Sequence, residues 1–178
     1  MVTKIADKVK SSKLPLKSQH IGKSLLGLQG MDPETPEVKY LLKEITKRIA
    51  QSDRTKLTST AIADSLYGLQ GMNSKVGEVQ NLLSELAKKI AFSPADLSPT
   101  LIGRALFGLQ GISSEASIFA ESGSALRVYY DSDEAQFLVS TLWDKIKTVN
   151  AQMSLSAIAM GLQGILKPHA NLLFKFFF

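Results

Sequence analysis

The chain has no cysteine, which excludes disulfides, thiolate chemistry and cysteine-ligated zinc while leaving the redox compartment open. Histidine is almost as scarce. His20 and His169 are the two present, and their separation resembles no metal-binding motif. No stretch approaches the roughly 18 to 20 uninterrupted apolar residues that a membrane-spanning helix needs. Residues 1–10 carry charge throughout, where a secretory signal would have an apolar core. No Ser-His-Asp arrangement, recurrent carboxylate pair or metal cluster can be placed. Catalysis, a cofactor and a bound metal are therefore not expected.

What is present is an ordinary folding composition. Of 178 residues, 44% are hydrophobic and 21% charged, enough to bury a core without signs of wholesale disorder. Lysine and arginine number 21 against 16 acidic residues, a formal charge of +5 that favours an acidic partner without identifying one.

Internal repetition dominates the sequence. Gly-Leu-Gln-Gly occurs four times, at 27–30, 68–71, 108–111 and 161–164, with the first three copies 41 and 40 residues apart and the last 53 residues on. The likeness extends upstream, where Ile21, Leu25 and Leu26 match Ile62, Leu66 and Tyr67 and then Ile102, Leu106 and Phe107. Downstream, Val38, Leu41, Leu42, Ile45 and Ile49 match Val79, Leu82, Leu83, Leu86 and Ile90, and again Ala135, Leu138, Val139, Leu142 and Ile146. Such self-similarity is the mark of stacked supersecondary units.

Each unit carries helical periodicity twice. Ile62, Leu66 and Leu69 share one face of a first helix, helix A, with Thr58 or Ser59 as its N-cap. Val79, Leu82, Leu83, Leu86 and Ile90 line one face of a second, helix B, with Lys88 and Lys89 in its last turn. Gly71 and the polar residues after it break the chain between them. The expected fold is an all-α solenoid of about four two-helix units with a period near 40 residues, covering 1–178 as one helical-repeat domain.

Units are expected at 14–52, 55–93 and 97–149, followed by a degenerate last unit and apolar tail at 151–178. Ile5 and Val9 align with Ile45 and Ile49, so residues 1–12 read as the end of a preceding helix B and the chain as a fragment of a longer array. The fourth motif follows its helix early, which predicts a helix A shortened by about three residues, one turn. Residues 117–132 form an insertion between helix A and helix B of the third unit. It is either a tolerated surface loop or, through Leu126, Val128, Tyr129 and Tyr130, a partner contact. The tail, with Phe174, Phe176, Phe177 and Phe178, is either a cap on the last open helix face or an association site.

The motif ends a helix and has no following Lys-Ser or Lys-Thr, so a phosphate-loop reading fails. Small residues such as Ser65 and Gly68 instead allow close helix approach. Gln29, Gln70, Gln110 and Gln163 fall on the other flank, where stacking would bring equivalent amides together. On the outward line of helix A the position of Asp64 holds Lys23 in the first unit and Arg104 in the third, and that of Tyr67 holds Leu26 and Phe107. Such variation on a constant scaffold is either free drift or modular recognition. Lys47, Arg48, Lys88, Lys89, Lys145 and Lys147 end the helices B. They either complement the helix dipole or form a stripe that tracks a phosphate backbone.

The run Ile62-Ala63-Asp64-Ser65-Leu66-Tyr67-Gly68-Leu69-Gln70-Gly71-Met72, with a second amphipathic helix after it, resembles the octotricopeptide-type helical repeats and their relatives associated with RAP domains. Their first helix ends in a similar Leu-Ala-Asn-x-Leu-Trp-Ala-Leu-Ala-x-Leu-Gly run, and the resemblance spans residues 20–166. It implies a single-stranded RNA binder of an organelle, chloroplast or mitochondrion, with Lys23, Asp64, Arg104, Tyr67, Phe107, Lys47, Arg48, Lys88 and Lys89 facing the RNA. The alternative is a protein–protein scaffold or linker subunit that uses the insertion and the tail.

Overall fold

The structure, a computed structural model, describes residues 1–52, 56–112, 117–120, 126–129, 132–149 and 152–166. Its elements in order are α1 (Val2–Ser11), α2 (Ser18–Leu26), α3 (Pro36–Ala50), α4 (Ser59–Gly68), α5 (Gly77–Ala91), α6 (Pro99–Gly108), β1 (Ser117–Ala120), β2 (Leu126–Tyr129), α7 (Asp133–Lys147) and α8 (Leu155–Leu166). The all-α class holds, with one departure. Where a surface loop was one expectation for the insertion, β1 and β2 pair antiparallel as a hairpin, with Ser117 opposite Tyr129 and Ala120 opposite Leu126.

Local chemistry explains where the helices start and stop. Thr58 Oγ1 accepts a hydrogen bond from the Ala61 amide at 3.3 Å, Ser132 Oγ from Ala135 at 3.1 Å and Ser154 Oγ from Ala157 at 3.2 Å. Each satisfies an amide that the first turn leaves without a partner. Pro36 and Pro99 occupy first-turn positions where no amide donor is needed. After α2, α4 and α6 the chain reverses through Gly30, Gly71 and Gly111, whose φ angles of 77°, 80° and 78° favour glycine.

The helices pack in two rows. In one, α2, α4, α6 and α8 contact one another in succession; in the other, α1, α3, α5 and α7 do. Apolar stripes from both rows make one continuous core, in which Leu25, Ile62, Leu66, Val79, Leu82, Leu83, Leu86 and Ile90 are fully buried. Each such side chain contributes about 1.5–3 kcal/mol of transfer free energy. α1 lies against α3 and is tied to it by Tyr40 Oη donating to Asp7 Oδ1 at 3.1 Å.

Close approach within the first row depends on glycine. A Cβ on Gly68 would lie 2.1 Å from the Leu25 carbonyl oxygen, and one on Gly108 would lie 2.2 Å from that of Leu66. The fourth helix repeats this contact with Gly164, whose Cβ would fall 2.1 Å from the Leu106 oxygen, and not with Gly161, which meets the end of the Leu106 side chain. A second contact gives the same register, since Gly103 abuts Ala157 as Gly22 abuts Ala61.

In α8, then, Ile158 and Leu162 take the places of Ile62 and Leu66. The expected shortening of this helix does not occur. α8 runs through the whole Gly-Leu-Gln-Gly string, which has slid one turn toward the N-terminus relative to the packing face.

Candidate interaction surfaces

The variable outward positions of helix A meet one another across neighbouring helices. Arg104 on α6 lies beside Asp64 on α4, with Nη2 2.9 Å from Oδ1. The N–H is not aimed along that line, so this is an ion pair without hydrogen-bond geometry. It leaves Asp64 Oδ1 and Arg104 Nε buried with no hydrogen-bond partner. The guanidinium also sits over the Tyr67 ring, 4.9 Å from its centroid, and Tyr67 stacks on Phe107 at 5.7 Å and 21°. Cation, anion and two rings therefore form one cluster held by charge and ring contact, and only the Asp64 side chain, 14% exposed, is close to fully enclosed. Lys23 on α2 is exposed.

The basic residues at the ends of the second row divide into two kinds. Lys47 pairs with Glu44 at 3.2 Å, Lys88 with Glu85 at 2.7 Å and Lys147 with Asp144 at 3.2 Å, each one turn away on its own helix. Lys89 and Lys145 reach back to the ends of the preceding second-row helices, donating to the carbonyls of Ser52 and Ser93, while Arg48 donates to the carbonyl of Leu14 between α1 and α2. Ser52 and Ser93 follow the C-caps of α3 and α5, so Lys89 and Lys145 complement the C-terminal dipole of the helix before their own. An open polar groove of about 570 Å³ between α3 and α5 is flanked by Lys43, Lys47 and Lys88 together with Glu78 and Glu85.

The glutamines form a ladder. Gln29 Nε2 donates to Gln70 Oε1 and Gln70 Nε2 donates to Gln110 Oε1, both at 2.9 Å. Gln163, shifted by the slide of α8, is exposed and stands apart from it. Backbone contacts reinforce the same edge, where Gly71 N donates to Gln110 O and Ser74 N to Ile112 O, each at 2.8 Å.

Of the residues suggested for partner contact, Leu126, Val128 and Tyr129 lie on β2. Tyr130, Phe174, Phe176, Phe177 and Phe178 lie outside the described residues. A different apolar surface lies at the row ends, of which the sequence marks Ile5, through its alignment with Ile45, but not the part on α8. Ile158 and Leu162 are 40% and 50% exposed although their counterparts Ile62 and Leu66 are fully buried, and Ile5 is 45% exposed where Ile45 is 6%. Trp143 is exposed beside them in sequence order on α7. The signal for Ile158 and Leu162 is alignment of α8 on its apolar stripe instead of on its glycines.

Among the described residues no group of acidic or imidazole side chains could hold a metal ion, and no helix is long and apolar enough to cross a membrane. Comparison with protein-family models, with curated proteins and with solved structures finds no match.

Proposed function

We propose that the chain is an α-solenoid of two-helix units with a period near 40 residues and that it acts as a non-enzymatic protein-binding scaffold. The observation that carries this reading is the exposure of core-type side chains, Ile5 at one end of the rows and Ile158 and Leu162 at the other, on faces that every internal unit covers. Exposed apolar surface of this kind marks protein contact. The cations that would serve a phosphate backbone are engaged, Lys47 and Lys88 by carboxylates and Arg48 and Lys89 by carbonyls. A nucleic acid would have to displace those contacts before gaining its own.

A second reading, a single-stranded RNA module of the octotricopeptide type, is supported by the partly exposed Tyr67–Phe107 stack, since rings of this kind accept bases. Titration with short labelled single-stranded RNAs at two salt concentrations separates the two. The scaffold reading expects weak binding that is unchanged when Lys47, Arg48, Lys88 and Lys89 are replaced by alanine. Tight binding that falls steeply with salt and is lost in that variant would overturn it in favour of RNA.

A further inference from the structure

The two ends of the helical rows are complementary halves of one unit. Among the described residues, α1 belongs to the second row and packs on α3 with no first-row helix on its outer side, and α8 belongs to the first row and packs on α6 with no second-row helix after it. We propose that a second copy of this chain docks head to tail, α8 of one copy lying against α1 and α2 of the next, so that the two half-units make a complete one. The inference rests on the stacked-unit reading above and names the partner that the open faces fit.

The chain displays the interface it would use. Beside α1 and α2 runs a groove of about 260 Å³ lined by Ile5, Val9, Leu16, Ser24 and Ile45, with Arg48 at its margin. One unit further along, the same positions are Ile45, Ile49, Leu57, Ser65 and Leu86, all buried beneath neighbouring helices. In that unit the first-row stripe is supplied by Ile21 and Leu25 of α2, which are fully buried. Ile158 and Leu162 of α8 carry the same side chains at the same spacing, and they are exposed.

The backbone fit is also continuous. Gly68, Gly108 and Gly164 each receive the carbonyl of a leucine on the preceding first-row helix, from Leu25, Leu66 and Leu106. Gly27 is the corresponding glycine of α2, and beyond its own helix no atom lies within contact range of a Cβ placed there. Leu162 is the corresponding leucine of α8. Docking α8 on α2 extends both series by one step.

In the other row, Trp143 of α7 stands at the register position of Ala87, which is fully buried, and would lie under the incoming α1. Because the two faces differ, the contact is heterologous and propagates into chains or closes into a ring.

The test is a mixing experiment on the full chain, read by light scattering after size-exclusion chromatography, with helicity checked by circular dichroism. One variant, Ile5→Glu with Val9→Glu, blocks the α1 end; another, Ile158→Glu with Leu162→Glu, blocks the α8 end. The unmodified chain should show a mass that rises with concentration above 19.4 kDa. Each variant alone should stay at the chain mass. An equimolar mixture should restore a species of twice that mass and nothing larger, since one intact pair of faces remains.

An unmodified chain that stays at 19.4 kDa up to near-millimolar concentration overturns the inference, as does a mixture of helical variants that fails to pair. Single variants that still assemble overturn it too. None of these results bears on the RNA titration, so the docking inference and the scaffold reading fail separately.

Discussion

Gly164 lies against the carbonyl oxygen of Leu106, closer than any side chain could allow, since an added Cβ would fall 2.1 Å from that oxygen. Gly161, one turn earlier, would meet only the flexible end of the Leu106 side chain, at 3.0 Å. Gly164→Ala should therefore force α6 and α8 apart and cost about 1–3 kcal/mol. Gly161→Ala should be nearly neutral or slightly favourable, because alanine is the better helix former by about 1 kcal/mol. Denaturant unfolding of the two variants checks the order; a larger loss at Gly161 would mean that the motif, and not the apolar stripe, sets the register of α8.

That pair of glycines also marks where the sequence could and could not be read. The stripe of α5 and the N-cap at Thr58 were visible because periodicity and capping act within one helix. The slide of α8 was not, because identical letters were aligned in place of identical faces. In its first three copies the motif sits at the helix end, where the final glycine takes a positive φ. In α8 the same letters lie inside the helix, where Gly164 serves packing alone. The exposed end at α8 is hidden for the same reason, since Leu162 becomes a counterpart of Leu66 only in the shifted register.

The contact between Asp64 and Arg104 joins positions that sequence variation alone had presented as independent. A double-mutant cycle with Asp64→Asn and Arg104→Met should give a coupling of about 1 kcal/mol, limited by the partial exposure of the arginine and by the absence of hydrogen-bond geometry. Arg104→Lys should recover part of the charge term and lose the planar contact with Tyr67. Additive effects in the cycle would show that the pair contributes nothing.

Lys89 and Lys145 bind carbonyls at the C-terminal ends of α3 and α5, helices other than their own. The sequence placed these cations at helix ends but could not say whose end they serve, because that requires the neighbouring unit in space. Lys89→Met should lower local stability by about 0.3–1 kcal/mol. The loss should appear as faster amide exchange in the last turn of α3, with α5 less affected. Equal acceleration in α5 alone would place the interaction within its own helix.

Gln70 takes part in two side-chain hydrogen bonds, accepting from Gln29 and donating to Gln110. Gln70→Leu should cost about 1–2 kcal/mol through both lost bonds and the partner groups left short of contact. Gln163→Leu, outside the ladder, should leave the unfolding midpoint unchanged. A comparable loss at both positions would argue for a local helix effect.

The ladder also has a polarity. Each amide gives its N–H forward along the row and receives at its oxygen from behind, so the chain of dipoles runs one way, and among the described residues the row starts at the Gln29 oxygen and ends at the Gln110 NH₂. The three glutamines are therefore chemically inequivalent despite occupying equivalent places. A carboxylate can stand in directly for Gln110, which accepts in this row, whereas at Gln29 it sets oxygen against oxygen until the Gln70 and Gln110 amides turn over together. The row thus reads direction into a sequence that repeats the same letters, and tolerance of glutamate along it would report which end of the stack is which.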